Sequence, residues 1–294
     1  MLPQLRAFLV VCEEGSINRA AERLHLSQSA LSRQIQGLEH EMGGPLLDRT
    51  SSGITLTPGG HALKSRINPV LSSYDRAVME VRRIIRGEQN ILRIAYLPSA
   101  AKEFLEDPLK RLRAEHPDVT VKLLDLSPGE QISALRAGEI DVGLTDESAA
   151  VLARECYIRV LGTNTSVVIL PEQHSRRKQG TVQLAQLKHE VFVKGNESEL
   201  PGQARRLTAY CWKHGKFRPR YVGPVRDLAD AFQTVANENA VAIMPNYVRD
   251  YRVPGVVILP LADQAVTWKL LVVWQRGKPN QALRTLLDAL FQRR

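Results

Sequence analysis

The sequence predicts an α/β protein in which a small helical region and one long helix precede a larger region of alternating strands and helices. Three observations support this class. Residues 16–49 contain two short amphipathic helices joined by a tight turn, residues 60–86 carry apolar side chains at heptad spacing, and short apolar strands alternate with helices from Ile91 onward. A chain of 294 residues is too long for one ordinary core, so two or three domains are expected.

The first region has the layout of a helix-turn-helix. Residues 1–15 predict a helix and not a signal peptide, because a basic leader and a small-residue cleavage site are both missing. The two helices around the turn at 25–27 each have one apolar face, formed by Ile17, Ala20, Ala21 and Leu24 before the turn and by Ala30, Leu31, Ile35 and Leu38 after it. The solvent side of the second helix carries amides, hydroxyls and a guanidinium, which suit base edges and phosphates. We therefore expect DNA contacts from Ser27, Gln28, Ser29, Ser32, Arg33 and Gln34.

Two short apolar runs follow, PLLDRT and GITLT, with a glycine-containing turn between them. This pattern predicts a β-hairpin, the wing of a winged helix-turn-helix. Arg49 stands at the base of the hairpin, where a phosphate could be met, and Thr57 and Pro58 open the next element. These three residues complete the set of candidate DNA contacts.

Residues 60–86 predict one long helix. Apolar or small side chains recur at spacings of three and four, at Leu63, Ile67, Val70, Tyr74, Ala77, Val81 and Ile84. Such a seam is typical of a coiled coil that pairs two copies of the chain, and packing on the helix's own domain is the alternative. Pro69 lies within the helix and predicts a kink or the loss of one backbone hydrogen bond. The run at 87–90 predicts a hinge.

The rest of the chain predicts parallel α/β sheets. The candidate strands are 91–97, 119–126, 141–145, 166–171, 190–195, 220–225, 240–245, 256–261 and 267–274, and the candidate helices are 101–115, 130–137, 201–214 and 227–237. Ligands of open α/β sheets bind at the carboxyl ends of strands, next to helix N-termini. Strands that end before Ser99, Ser127 and Arg226 have this form.

The N-terminal motifs resemble those of LysR-type transcriptional regulators. The residues that carry the resemblance are AAERLHLSQSALSRQI at 20–35, Leu38-Glu39, PLLDR at 45–49 and LTPGG at 56–60. The resemblance implies a DNA-binding domain at 1–59, a linker and dimerisation helix at 60–86, a hinge at 87–90 and an effector-binding domain at 91–294. It also implies that the last domain has two lobes, at 91–161 plus 267–294 and at 162–266, joined by two crossing strands as in periplasmic solute-binding proteins.

The resemblance places a small effector in a cleft between these lobes. The residues expected there are Ser99, Ala100, Ser127, Pro128, Thr145, Gly195, Asn196 and Val225. Ser99 and Ser127 could instead be simple helix N-caps, or serve in both roles. One departure from the family is the turn around Asn237–Asn239, where glycines are usual; asparagine tolerates the left-handed conformation, so the turn can survive. The resemblance further implies double-stranded promoter DNA as a partner, a homodimer or homotetramer, and contact with RNA polymerase.

Charge is distributed unevenly along the chain, whose formal net charge is +9. Residues 1–90 carry a net of only +2, whereas residues 172–225 carry +7. Net charge is therefore weak support for DNA binding, and the local arrangement of the helix-turn-helix is the better indicator. A cationic second lobe with Arg205, Arg206, Lys213, Lys216, Arg218 and Arg220 favours an anionic effector such as a carboxylate, although solvated surface is the commonest role of such residues.

Other classes of protein find little support. The motifs HExxH, GxSxG, GxGxxG and GxxxxGK[ST] are missing, and no cofactor or metal is expected. The three cysteines have no zinc spacing, so a reducing cytoplasm is the simplest setting, while a redox role for Cys156 or Cys211 stays open. No apolar run is long enough for a transmembrane helix. The alternatives that remain are an architectural or effector-independent DNA-binding repressor and a solute-binding module, the latter disfavoured by the helix-turn-helix.

Overall fold

A computed structural model describes residues 1–50, 53–98, 104–277 and 279–292, without the side chains of residues 49, 50 and 250. Contacts between residues divide the chain into two units, Met1–Ala77 and Val78–Arg294. The predicted domain boundaries at 59/60 and 86/87 stay predictions.

The first unit is built from three short helices, a hairpin and the start of a long helix. Its elements are α1 (Leu2–Glu14), α2 (Ile17–Arg23), α3 (Gln28–Met42), β1 (Leu47–Thr50), β2 (Gly53–Leu56) and α4 (Pro58–Ile85). Gly15 ends α1 in the left-handed conformation at φ 60°, and the Ser16 hydroxyl then caps α2. The two faces expected around the turn are mostly buried: Leu31 and Leu38 are wholly inaccessible to solvent, and Leu24 and Ala30 are half-buried. Phe8 of α1 is also wholly inaccessible. The helix-turn-helix and the antiparallel wing are thus confirmed.

The apolar seam predicted for α4 is buried at its beginning and exposed further along. Leu63 and Ile67 are partly buried against the core of the first unit, as the alternative interpretation proposed. Further along, Val70, Tyr74 and Val81 are 59%, 50% and 54% exposed. The helix is continuous through Pro69, whose missing N–H removes one backbone bond. Only the later part of the seam is therefore free for a partner.

The second unit contains a seven-stranded sheet and a separate pair of parallel strands. The strands are β3 (Ile91–Tyr96), β4 (Thr120–Asp125), β5 (Val142–Thr145), β6 (Cys156–Pro171), β7 (Val191–Gly195), β8 (Arg220–Val225), β9 (Ala242–Pro245), β10 (Val256–Pro260) and β11 (Thr267–Gln275). Their order in the large sheet is β10-β6-β11-β5-β3-β4, with β9 also paired to β6. Strands β7 and β8 pair with each other.

The expectation of parallel strands was wrong for four of the six strand pairings described in this sheet. Strands β3, β4 and β5 are parallel, but β11 is antiparallel to β5 and β6, and β6 is antiparallel to β9 and β10. The long strand β6 pairs with β11 first and with β9 and β10 later, so it passes from one core to another. The two crossing strands and the two-lobed α/β class are as expected.

Helices cover these strands and position their carboxyl ends. They are α5 (Glu106–Glu115), α6 (Pro128–Ala137), α7 (Gln203–Tyr210), α8 (Leu228–Glu238) and α9 (Gln281–Phe291), and a π-helical turn at Cys211–Gly215 extends α7. Asn239 ends α8 in the left-handed conformation at φ 50°, so the turn without glycine forms as expected. One lobe packs α5 and α9 against Leu92, Ile94 and Val272, and the other encloses Phe192 and Ile243 in a separate core.

Candidate functional site

The exposed side of α3 presents hydrogen-bonding groups to solvent. Ser27, Gln28, Ser29 and Arg33 are exposed, while Ser32 and Gln34 are half-buried. The Ser27 hydroxyl caps the helix by accepting a hydrogen bond from the amide of Ala30 at 3.2 Å. The first turn of α3 contains no carboxylate, so the positive end of the helix dipole is not offset there. This end of α3 suits a polyanion.

Arg33 differs from the other arginines beside it. Arg19 and Arg23 are ion-paired with Glu14, and Arg6 is paired with Asp75. The guanidinium of Arg33 has no such partner within the described part of the chain. A free guanidinium can form the bidentate pair that base edges and phosphates accept.

The three candidates in and after the wing differ in what they offer. Thr57 is only 7% exposed, and its hydroxyl donates to the carbonyl of Pro45 at 2.9 Å while it accepts from the amide of Gly60 at 3.0 Å. Thr57 thus caps α4, and its geometry does not support the predicted DNA contact. Pro58 is exposed as the first residue of α4. Arg49 pairs through its backbone with Ile54, and its side chain lies outside the described residues.

A cavity of about 510 Å³ lies in the second unit, where strands of both lobes end. This volume is typical of a small-molecule site. Of the residues expected there, Ser127, Pro128, Thr145, Gly195 and Val225 line it. Ser99 and Ala100 lie outside the described residues. Asn196 does not line the cavity; its side-chain oxygen accepts from the amide of Ser198 at 2.9 Å and so closes a local turn, and its effector contact stays a prediction.

Several wall residues have a clear structural role as well. The Ser127 hydroxyl accepts from the amide of Glu130 at 3.2 Å, and the Glu130 carboxylate accepts from the amide of Ser127 at 2.8 Å. This capping box supports the N-cap interpretation, and Ser127 still reaches the cavity. Gly195 packs closely against Leu200, because a Cβ there would lie 2.5 Å from Leu200 Cδ1 and the leucine side chain would have to shift.

The two lobes touch beside the cavity at the first turn of α6. The amide of Gly129 donates to the carbonyl of Glu199 at 2.9 Å. A Cβ at Gly129 would lie 1.6 Å from the carbonyl oxygen of Ser198, so only glycine permits this approach. The contact fixes how closely the lobes meet.

Thr145 is the most unusual polar group on the wall. It ends β5 and is wholly inaccessible to solvent, yet its hydroxyl has no hydrogen-bond partner among the described residues. Leaving a buried hydroxyl unpaired costs about 1–3 kcal/mol. A ligand in the cavity could supply the missing partner.

Sequence reasoning missed several polar wall residues, among them Asn164, Tyr247 and Trp268. Tyr247 is 38% exposed, and its phenol is protonated near neutral pH and can donate a hydrogen bond. Trp268 donates from Nε1 to the Ser166 hydroxyl at 3.0 Å, which fixes the orientation of the indole. Asn164 lies on β6 and Trp268 on β11, the two strands that cross between the lobes. A polar or aromatic residue at the crossing was the sequence signal that could have identified both.

Comparison with known proteins identifies the family. Residues 2–61 match the family described as bacterial regulatory helix-turn-helix protein, lysR family, and residues 86–294 match the LysR substrate binding domain. The chain belongs to the LysR family of transcriptional regulators. It is a DNA-binding regulator with an effector-binding domain, and its relatives are regulators and not enzymes.

Known regulators are similar to this chain over nearly its whole length. The chain is 29% identical over 292 residues to the Hca operon transcriptional activator HcaR of Escherichia coli (strain K12), covering 99% of this chain and 97% of HcaR. It is also 29% identical to the regulator ClcR of Pseudomonas putida, covering 98% and 97%. The crystal structure of CbnR, a LysR family transcriptional regulator, has a TM-score of 0.54 at 25% identity and covers 99% of both chains. CbnR complexed with its target DNA has a TM-score of 0.53 at 26% identity, covering 99% of this chain and 98% of that one.

The charges on the cavity wall of this regulator differ from the expectation. None of the six basic residues that favoured an anion lines the cavity. The charged groups that do are Asp125, Glu130, Asp146, Glu199 and Asp227 against Arg226 and Lys269. Arg206 lies behind the wall, where it donates to Asp146 at 3.1 Å and to the Ser148 hydroxyl at 3.0 Å. The positive segment therefore gives no direct support for an anionic effector.

Two of the three cysteines, Cys12 and Cys211, have thiols that their surroundings keep protonated. Burial raises the pKa of Cys211 to about 12 and that of Cys12 to about 11, which keeps both thiols protonated and unreactive. No group of three metal-ligating side chains comes together within the described ranges. In the same ranges, every helix is too short or too polar to cross a membrane.

Proposed function

We propose that this regulator reads promoter DNA through α3, with Gln28, Ser29 and Arg33 on the base edges and Ser27, Ser32 and Gln34 beside them. Pro58 and Arg49 would approach the backbone next to the recognition helix. The observation that carries the proposal is the free guanidinium of Arg33 on an exposed helix face, while the nearby Arg19 and Arg23 are ion-paired. A bidentate contact of this kind contributes about 1–3 kcal/mol of discrimination between bases.

Gel-shift titrations on the promoter and on a scrambled duplex test this assignment. Arg33→Ala should weaken binding to the promoter more than binding to the scrambled duplex. Arg66→Ala is the matched control, since Arg66 is exposed on α4 outside the recognition helix. Equal weakening on both duplexes would assign Arg33 to phosphate contact alone, and no weakening would remove it from the interface.

We further propose that the effector is a small, largely apolar molecule with one hydrogen-bonding group. Most of the cavity wall is apolar, and Thr145, Tyr247 and Asn164 offer polar atoms that no described residue occupies. The unpaired hydroxyl of Thr145 is the observation that carries this proposal. A carboxylate remains a prediction that rests on Ser99.

Thermal-shift titration with matched compounds separates these two effector classes. A compound that binds the folded state raises the melting temperature by mass action. The same apolar skeleton should be supplied as a carboxylate and as its primary amide. An amide that binds at least as well supports a neutral hydrogen-bonding head, whereas a carboxylate that binds tenfold more tightly restores the anionic prediction.

Pairing of two copies through α4 is the remaining part of the proposal. The later part of the seam consists of Val70, Tyr74, Val81 and Ile84. Each of these side chains is at least 50% exposed. Exposed apolar stripes of this kind are buried when helices pair. A dimer through this seam would place two DNA-reading heads on one duplex, and further assembly to a tetramer would use other surfaces.

A further inference from the structure

A strongly basic surface lies on the second lobe of the effector-binding domain. It is formed by three segments, 174–178, 188–190 and 212–220. They contain Arg176, Arg177, Lys178, Lys188, Lys213, Lys216, Arg218 and Arg220, and the sequence of these segments includes one carboxylate, Glu190. Six of the eight basic side chains are exposed, and Arg176 and Arg177 are half-buried. We call this set the basic surface.

Contacts between the segments hold the basic surface together. The imidazole Nε2 of His174 lies 3.4 Å from the Glu190 carboxylate, which ties the first segment to the second. Arg220 donates to the carbonyl of His189 at 2.7 Å, and β8 begins there alongside β7. The rings of Phe217 and Phe192 pack with centroids 5.8 Å apart beneath the third segment. The three segments are therefore neighbours in space.

Neither site described above uses these residues. None of the eight lines the effector cavity, and all lie outside the helix-turn-helix. The concentration of charge is also costly to the isolated protein, because like charges held together repel one another. Trp212, at the same surface, is 61% exposed with the Arg218 guanidinium 5.7 Å from its ring. A large exposed aromatic among cations is typical of a surface that meets a partner.

We propose that the basic surface binds the phosphate backbone of DNA without regard to sequence. Charge complementarity requires a polyanion, and this chain already binds one through its first unit. Residues 1–90 carry a net charge of only +2, whereas residues 172–225 carry +7, so most of the chain's excess positive charge lies outside the DNA-reading region. Exposed cations that lie together attract DNA phosphates whatever the base sequence.

Salt dependence measures such contacts directly. Each phosphate contact steepens the plot of log affinity against log salt by about 0.9 for B-form DNA. The triple variant Lys188→Gln, Lys213→Gln, Lys216→Gln removes three exposed amines without touching an ion pair of the described residues. With full-length protein and a non-operator duplex, the slope should fall by about 1 for each lysine that meets a phosphate. The same loss should appear on an operator fragment with long flanks.

A matched triple on the other lobe controls for general charge. Arg113, Lys122 and Arg284 are also exposed, and their replacement by glutamine removes the same net charge. This control should leave the slope within about 0.5 of the wild type, since fewer than one contact would be lost. Tryptophan fluorescence gives a second readout, because Trp212 should respond to non-operator DNA and a Trp212→Phe variant should abolish that response.

Two outcomes overturn the proposal. An unchanged salt slope in the basic-surface variant, with a wild-type thermal melting profile, would show that DNA does not contact these lysines. Unchanged DNA affinity together with reduced transcription in a reconstituted assay would assign the surface to an acidic protein partner instead. A triple variant that melts early is replaced by the single substitutions Lys188→Gln, Lys213→Gln and Lys216→Gln, and a wild-type slope in all three overturns the proposal.

Discussion

Replacing Thr145 by valine should make this regulator more stable and less responsive to its effector. Valine has nearly the shape of threonine and suits a β-strand, so it can occupy the end of β5 opposite Leu271 without rearrangement. The hydroxyl that it removes is wholly buried and unpaired among the described residues. Without effector, the free energy of unfolding should therefore rise by about 1–3 kcal/mol.

The effector should bind the same variant more weakly. If the ligand supplies the missing hydrogen bond, its loss costs about 0.5–1.5 kcal/mol, or more if the ligand group is charged. Thermal melting with and without saturating effector measures both effects. A gain of 1 kcal/mol raises the melting temperature by about 2–4 °C for a domain of this size, and the further rise on adding effector should shrink.

Thr145→Ser is the control for this substitution, since it keeps the hydroxyl and loses a methyl group. It should lower stability by about 1 kcal/mol, in line with the loss of one buried methyl group, and leave the effector shift largely intact. A Thr145→Val protein that melts earlier than the wild type would refute the reasoning, because the hydroxyl would then have a stabilising partner.

Three other experiments, two of them with a comparison substitution, test separate parts of the structure. Val81→Lys should abolish the dimer in sedimentation while the chain still folds, because Val81 is exposed. Ile67→Lys should instead lower the melting temperature of the DNA-binding unit, because Ile67 packs on the core of that unit. A Val81→Lys protein that sediments as the wild type would mean that the seam pairs with nothing. Gly129→Ala should weaken effector binding at least tenfold in calorimetry, since its Cβ would meet a carbonyl oxygen at 1.6 Å, and Gly180→Ala, where nothing lies within 4 Å, should change nothing. Arg83, near the end of α4, forms a 2.6 Å ion pair with Asp141 of the effector-binding domain. Arg83→Gln removes this link, so promoter binding should persist while the transcriptional response to effector falls. A full response would show that the ion pair does not transmit the effector signal.

Local signals in the sequence were enough to predict the helix-turn-helix. Its turns depend on residues with fixed local preferences, such as Gly15 in the left-handed conformation and the hydroxyls of Ser16 and Ser27 at helix N-termini. The strand order of the effector domain is not a local property. Strand β6 crosses two cores through pairings more than 70 residues apart, and Gly162 and Asn164 within it obscured its strand pattern.

The heptad seam shows where pattern reasoning stops. Spacing alone cannot tell which partner buries an apolar face, so Ile67 and Val81 looked equivalent although one packs on its own domain and the other is exposed. The missed helix α9 had a usable signal, since Leu283, Leu286, Leu287 and Leu290 recur at spacings of three and four. Net charge misled in a similar way, because the position of a basic residue along the chain does not tell which surface it occupies.

Effector action and lobe contact should be coupled, because a ligand shifts an equilibrium only by binding one arrangement more tightly than another. The Gly129 amide and the Glu199 carbonyl join the lobes at 2.9 Å beside the cavity that Thr145 lines. We call the arrangement with this lobe contact closed. A ligand that bonds to Thr145 in the closed arrangement gains less binding energy when Gly129→Ala has already separated the lobes. The two substitutions should therefore be non-additive in effector affinity, with a double-mutant coupling of at least about 0.5 kcal/mol. Strict additivity in that cycle would mean that the Thr145 hydroxyl contributes equally to binding with or without the lobe contact. Effector affinity would then not depend on that contact.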